Sequence, residues 1–171
     1  MNNYWRNVLV ALTVAAASLS TQAQEESEGA VTEEAYGDWR VRCQQTENDV
    51  NTCIMIQQAM LEESGEMLML INVAYLPEQE QPTMGILVPL GVSLATGVNF
   101  QLGEGDENTS VLGYSHCDQN GCYASLLLSD EAVEQITAVG SGFVSFMTLQ
   151  GQPVNVPFSP NGFSGALESL R

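Results

Sequence analysis

The chain has 171 residues, 44% of them hydrophobic, and sets 21 acidic side chains against four arginines and no lysine, for a formal net charge of −17. Phosphate contacts need lysine and arginine, so this balance argues against nucleic acid as a partner, and equally against anionic lipid surfaces. The acidic excess reads as a solvated surface that keeps the protein dispersed.

In chain order, Arg6 precedes an apolar run from Val8 to Ala17, and Thr21-Gln22-Ala23 offers small residues where a signal peptidase reads. A charged start, a short apolar stretch and a small-x-Ala site describe a secretory signal peptide over residues 1–23. The run is about half of the roughly 20 residues a spanning helix needs. No cysteine stands at the cleavage site, so a lipid anchor is not expected, and no later segment is long and apolar enough to cross a bilayer. Cleavage after Ala23 leaves 148 residues with three arginines against the same 21 acids, a formal charge of −18. That length suits one domain, and the expected location is the periplasm or the cell surface.

Residues 24–35 carry five glutamates and one sizeable apolar group, Val31, and are expected to form a disordered acidic lead-in. The folded domain is then 36–171. Within it, short apolar runs broken by turn residues predict strands at Tyr36 to Cys43, Cys53 to Leu61, Met67 to Leu76, Thr83 to Pro89 and Val98 to Leu102. Further strands are predicted at Ser110 to His116, Tyr123 to Leu128, Phe143 to Leu149 and Pro153 to Phe158. Met67 to Leu76 is apolar on both faces, which predicts a central, doubly covered strand. Pro89 and Pro157 cannot donate to a ladder and mark strand ends or edges.

Two short helices are expected. Ser129 suits an N-cap, Asp130 and Glu131 suit the first turn, and Ala132, Val133 and Ile136 form an apolar stripe. Phe163, Ala166, Leu167 and Leu170 recur at helical spacing, with Arg171 at the negative end. The fold class is mainly β, a β-sandwich-like antiparallel domain with two short helices.

Four cysteines permit alternative pairings. Cys117 and Cys122 flank Asp118-Gln119-Asn120-Gly121, whose Asn-Gly turn signal lets them face each other across a hairpin. Cys43 and Cys53 end and begin adjacent strands around a polar segment. The expected bridges are Cys43–Cys53 and Cys117–Cys122. Neither Cys-x-x-Cys nor paired zinc-type spacings occur, so redox or metal use of these thiols is disfavoured.

Candidate chemistry is sparse. His116 is the only histidine, which removes most hydrolytic triads and multi-histidine metal sites. Asp118 to Gly121 imitates the opening of a calcium loop, but Ser129 stands where the bidentate glutamate should fall. Gly103-Glu104-Gly105-Asp106-Glu107-Asn108 gathers three carboxylates and reads as a solvated hairpin tip rather than a calcium site. Met55, Met60, Met67 and Met69 could hold Cu(I), yet methionine also fills irregular cores. No catalytic residue, metal site or cofactor is expected.

Several motifs also carry a family resemblance: Tyr36-Gly37-Asp38-Trp39-Arg40-Val41-Arg42-Cys43, Cys53-Ile54-Met55-Ile56-Gln57-Gln58, and Val88-Pro89-Leu90-Gly91-Val92 with Gly97. Cys117 with Gly121-Cys122 and Gly151-Gln152-Pro153-Val154 complete the set. In order and spacing they resemble the invasion-associated locus B family from about Tyr36 to Leu170. The resemblance implies an alphaproteobacterial exported protein with a β-sandwich-like fold and disulfides, and offers no catalytic residues to transfer. Some members are tied to host-cell invasion, and many belong to free-living bacteria. Where members often carry basic residues before the Gly-Phe matching Gly162-Phe163, this chain has Pro160-Asn161.

The motif residues have expected structural roles. Trp39 fills the core beside the Cys43 bridge with Asp38 and Arg40 on the opposite face, Gly91, Gly97 and Gly151 serve turns, and Gly37 and Gly121 belong to the motif turns. The leading functional expectation is a non-enzymatic binding or accessory module of the cell envelope with an envelope or host protein as partner. The alternative is a periplasmic metal or small-ligand binder.

Overall fold

The computed structural model describes residues 31–45, 51–103, 105 and 108–171. The expected signal peptide over 1–23, residues 24–30 of the expected acidic lead-in, and Glu104, Asp106 and Glu107 of the acidic loop lie outside the described residues.

The chain runs β1 (Val31–Tyr36), β2 (Trp39–Gln45), β3 (Asn51–Met60), β4 (Met67–Ala74), β5 (Thr83–Val88), β6 (Val98–Leu102) and β7 (Thr109–Leu112). It continues through β8 (Tyr114–Asp118), β9 (Gly121–Leu127), α1 (Asp130–Ala138), β10 (Gly142–Met147), β11 (Pro153–Phe158) and α2 (Phe163–Glu168). A seven-stranded sheet has the order β1-β2-β3-β4-β5-β9-β8, and a four-stranded sheet the order β11-β10-β6-β7. The pairings are antiparallel, and the inner faces of both sheets share one core. This is a mainly β, sandwich-like domain with two helices.

Alternation builds that core. Trp39 and Val41 of β2, Met69, Ile71 and Val73 of β4, and Met84, Ile86 and Val88 of β5 point inward. Val98 and Phe100 of β6, Val144 of β10, and Val156 and Phe158 of β11 meet them from the smaller sheet. Burying a side chain of this size contributes about 1.5–3 kcal/mol, so a single polar replacement in this row is severe. Trp39 is completely buried, with Phe158 and Phe163 edge-on at 6.0 and 5.3 Å between ring centroids. Such aromatic pairs add about 0.5–1.5 kcal/mol each beyond their area.

The helices close one end. The Ser129 hydroxyl accepts from the Ala132 N–H at 3.2 Å, and α1 turns Ile136 into the core. In α2, Phe163, Ala166 and Leu167 are buried. Arg171 does not serve the helix end as expected, because its Nε donates to the Tyr75 hydroxyl at 3.0 Å and its guanidinium lies over that ring.

The bridges are Cys43–Cys53 and Cys117–Cys122, each joining directly paired positions of neighbouring strands. Loop-closure entropy assigns the larger loop about 2.8 kcal/mol and the smaller about 2.2.

Three expectations about the strands also change. Val31 to Ala35 are not lead-in, because they pair residue by residue with β2 from Val31↔Gln44 to Ala35↔Arg40. Backbone bonds along the whole pairing with β2 hold a strand of poor hydrophobicity. Ser110 to His116 is not one strand, since the chain leaves the small sheet after Leu112 and joins the large one at Tyr114. Leu112 and Tyr114 both face inward from different sheets, a switch that alternation cannot reveal. Finally, β4 is the middle strand but is not covered on both faces, as Leu70, Asn72 and Ala74 are only half-buried. An antiparallel sheet needs cover on one face only.

Gln57 is the one buried polar side chain among the described residues. Its amide meets Ser159 twice, Nε2 donating to the Ser159 carbonyl and the Ser159 N–H donating to Oε1, both at 2.8 Å. Gln57→Leu strands that N–H and is expected to lower unfolding free energy by about 1–3 kcal/mol in urea titration. The exposed control Gln58→Leu is expected to stay within about 0.5 kcal/mol of the parent.

Candidate functional site

Two neighbouring features gather the chain's polar side chains around β2 and β3, a latch and a groove. The latch begins at the β1–β2 turn, where Tyr36 and Trp39 pair around Gly37-Asp38. The Asp38 N–H donates to the Asn161 carbonyl at 3.1 Å. Asp38 Oδ2 accepts from the Ser159 hydroxyl at 2.6 Å and from Asn161 Nδ2 at 3.3 Å. Trp39 Nε1 donates to the same Ser159 carbonyl that Gln57 uses, at 2.9 Å. Asp38 therefore does not share Arg40's outward face as expected; its carboxylate is turned onto the Ser159 to Asn161 loop.

Two glycines let the backbones meet. Gly37, at φ 57°, would set a Cβ 2.6 Å from the Asn161 carbonyl oxygen, and a Cβ on Gly162, at φ 88°, would overlap the Tyr36 carbonyl. Neither position tolerates a side chain. The latch joins the turn of the large sheet to the last loop of the small one and uses Pro160-Asn161 in doing so.

The groove, of about 870 Å³, opens beside the latch. β3 runs on to Met60 while β2 starts at Trp39, level with Gln57, and this offset leaves the end of β3 beside Ser159. Outward-facing Glu33, Ala35, Arg40, Arg42, Ile56, Gln58, Met60 and Leu70 line it, together with Gly140, Ser141, Pro157 and Ser159. Ile56 and Leu70 lie outside the main core and give the groove an apolar strip.

Its lining sets two cations, Arg40 and Arg42, against two acids, Glu33 and Asp38. Arg40 and Arg42 stand two residues apart on one face of β2 and share Glu33, with Nη1 of Arg40 at 3.0 Å from Oε1 and Nη2 of Arg42 at 2.9 Å from Oε2. The guanidinium of Arg42, then that of Arg40, holds the Glu33 carboxyl below the usual glutamate range. Both pairs are solvent-exposed, so each contributes little to stability. A paired Arg–Glu–Arg row beside an apolar strip suits recognition of a polar group.

Other candidate positions are dispersed. Met55 and Met69 are completely buried while Met60 is 47% exposed, so these methionines divide between core and surface. His116 stacks on Tyr123 at 4.5 Å, and its Nδ1 lies 3.0 Å from the Ser115 hydroxyl. That Ser–His contact, invisible to the sequence reading, has no carboxylate on the ring among the described residues, and the serine hydroxyl also meets the Tyr123 carbonyl. The orienting acid of a catalytic triad is missing from the contact. Asp118 is occupied by its own turn, accepting from the Asn120 N–H at 2.8 Å, and that bond first of all holds its carboxyl below the usual range. Burial pushes the Tyr114 phenol up to about 12, which keeps it neutral. Gly121 faces the Val88 carbonyl too closely to admit a Cβ, while Gly91 and Gly151 occupy bends at φ 88° and 75°. Among the described residues, no three histidine, cysteine, aspartate or glutamate side chains converge as a metal site.

A family model described as invasion associated locus B protein matches residues 39–171. The crystal structure of invasion associated protein b from Bartonella henselae superposes with a TM-score of 0.70 at 22% sequence identity, covering 81% of this chain and 94% of that one. No curated protein matches.

Glu33 supplies a direct test of the groove's charge balance. Its depressed folded-state pKa means that the pairs contribute above the unfolded glutamate value and are lost as pH falls through the lower folded value. Carboxyl NMR of Glu33 is expected to give a midpoint below the usual glutamate range, and Arg42→Gln is expected to raise it. An unshifted midpoint in the parent protein contradicts the pairing.

Proposed function

Because the chain belongs to the invasion-associated locus B family, we propose that it is an exported, non-enzymatic binding or accessory protein of the bacterial cell envelope. In this reading residues 1–23 are the export signal, residues 24–30 an acidic lead-in, and the domain works in the periplasm or at the cell surface on an envelope or host protein. Both disulfides support an oxidising compartment, where such bridges persist. All four cysteines are held in them, which leaves no thiol nucleophile.

The open groove of about 870 Å³ carries the proposal. Its apolar strip and paired arginines provide adhesion and orientation without catalytic groups, as in binding sites that combine apolar lining with a few placed polar groups. The alternative is a periplasmic metal or small-ligand binder; the complete burial of Met55 and Met69 does not favour a thioether site.

A photo-crosslinking residue at Gln58, introduced into the full-length chain in its native host, is expected to capture one reproducible envelope or host protein. The captured species should have a mature N-terminus at Gln24. Leu70→Glu, at a half-buried outward position, is expected to reduce capture about tenfold or more while leaving both disulfides formed. Reproducible absence of adducts, or capture indifferent to Leu70→Glu, overturns the groove as the binding surface.

A further inference from the structure

The sheet edges of this domain are unequal. β11 carries Pro153 and Pro157, which have no N–H to offer a new strand. β7 is only four residues long and lies against β9. β8 is irregular between Tyr114 and His116 and tied by the Cys117–Cys122 bridge. By contrast, β1 is a continuous six-residue strand without proline or glycine, paired to β2 over its whole length. Among the described residues nothing pairs with its other edge.

The register says which groups that edge presents. Tyr36 and Trp39 flank a two-residue turn, so they are a hydrogen-bonded pair, and such pairs recur at alternate residues. Tyr36, Glu34 and Thr32 therefore turn their N–H and C=O groups to β2. Ala35, Glu33 and Val31 turn theirs to the open side.

We propose that the open edge of β1 receives an extended, basic segment of a partner protein as an added strand. Strand addition uses main-chain bonds for affinity and alternate side chains for specificity. Charge decides the occupant. A second copy of β1 laid antiparallel against this same open edge would set Glu33 against Glu33 or, one step of register on, Glu34 against Glu34. Directly opposed like charges destabilise a strand pair. A lysine or arginine opposite Glu33 instead continues the row that Arg42 begins, and the net charge of −17 steers cationic segments toward the molecule. This surface adjoins the groove and shares Glu33 and Ala35 with it, but it engages the open backbone edge of β1 rather than the apolar strip of Ile56 and Leu70.

The test uses the oxidised chain from Gln24 to Arg171 and a synthetic peptide alternating lysine and valine, followed by amide hydrogen exchange in NMR. Binding is expected to slow exchange at Ala35, Glu33 and Val31 by about tenfold or more. Thr32 and Glu34, already bonded to β2, should change far less. The same peptide N-methylated at alternate amides, and a peptide with glutamate in place of lysine, are each expected to bind at least about tenfold more weakly. Ala35→Pro should abolish the effect, and if that variant distorts β1 the N-methylated peptide still decides. No binding, equal binding of the N-methylated peptide, or binding without slowed exchange at those three amides overturns the proposal.

Discussion

The peptide group of Ser159 is the point on which the two sheets depend. Its carbonyl accepts from both the Trp39 indole and the Gln57 amide, and its N–H returns a bond to Gln57. A buried indole and a buried carboxamide each need partners, because an unpaired polar group there costs about 1–3 kcal/mol. One backbone position in the loop after β11 satisfies both. Asp38 then adds the Ser159 hydroxyl and Asn161 from outside, and the two glycines admit the backbones at the distance these bonds require.

Much of the remaining architecture follows from that latch. Seating Trp39 on Ser159 brings Phe158 and Phe163 against its ring, which in turn sets α2 across the end of the sandwich. Drawing the loop onto Gln57 also sets Ser159 beside the portion of β3 that outruns β2, and the groove opens there. The disulfides act elsewhere, tying β2 to β3 and β8 to β9 within one sheet. They constrain the unfolded chain, whereas the latch aligns the layers. β1 stands apart from both devices: five of its six residues are exposed, so its hold rests on backbone bonds to β2. Segments with so few buried contacts are the first to open.

Alternation made the fold legible in the sequence. Strands at Val98–Leu102 and Pro153–Phe158 coincide with their expected spans, and both disulfides follow from local hairpin geometry. What escaped was governed by partners distant in sequence. β1 looked like solvated acid because the strand it pairs with comes later in the chain, and its own pattern carries no apolar period. The switch of sheets between Leu112 and Tyr114 preserves alternation and so leaves no local mark. Asp38, Gln57, Ser159 and Asn161 were visible as residues, three of them inside family-like motifs or beside one, but their meeting across more than 100 positions is a product of topology. The groove was likewise illegible, since it arises from an offset between strand ends. A single histidine and committed cysteines did speak in the sequence, and they set the bounds on chemistry.

The most direct test of the latch is native-state hydrogen exchange at the Ser159 amide, compared with global unfolding free energy from urea titration of the same oxidised protein. If this peptide group locks the layers, its N–H exchanges only when the whole domain unfolds, and the two free energies agree within about 1 kcal/mol. A Ser159 amide that exchanges through local opening, several kcal/mol below the global value, while Ile71 and Val73 in β4 remain fully protected, would contradict the account.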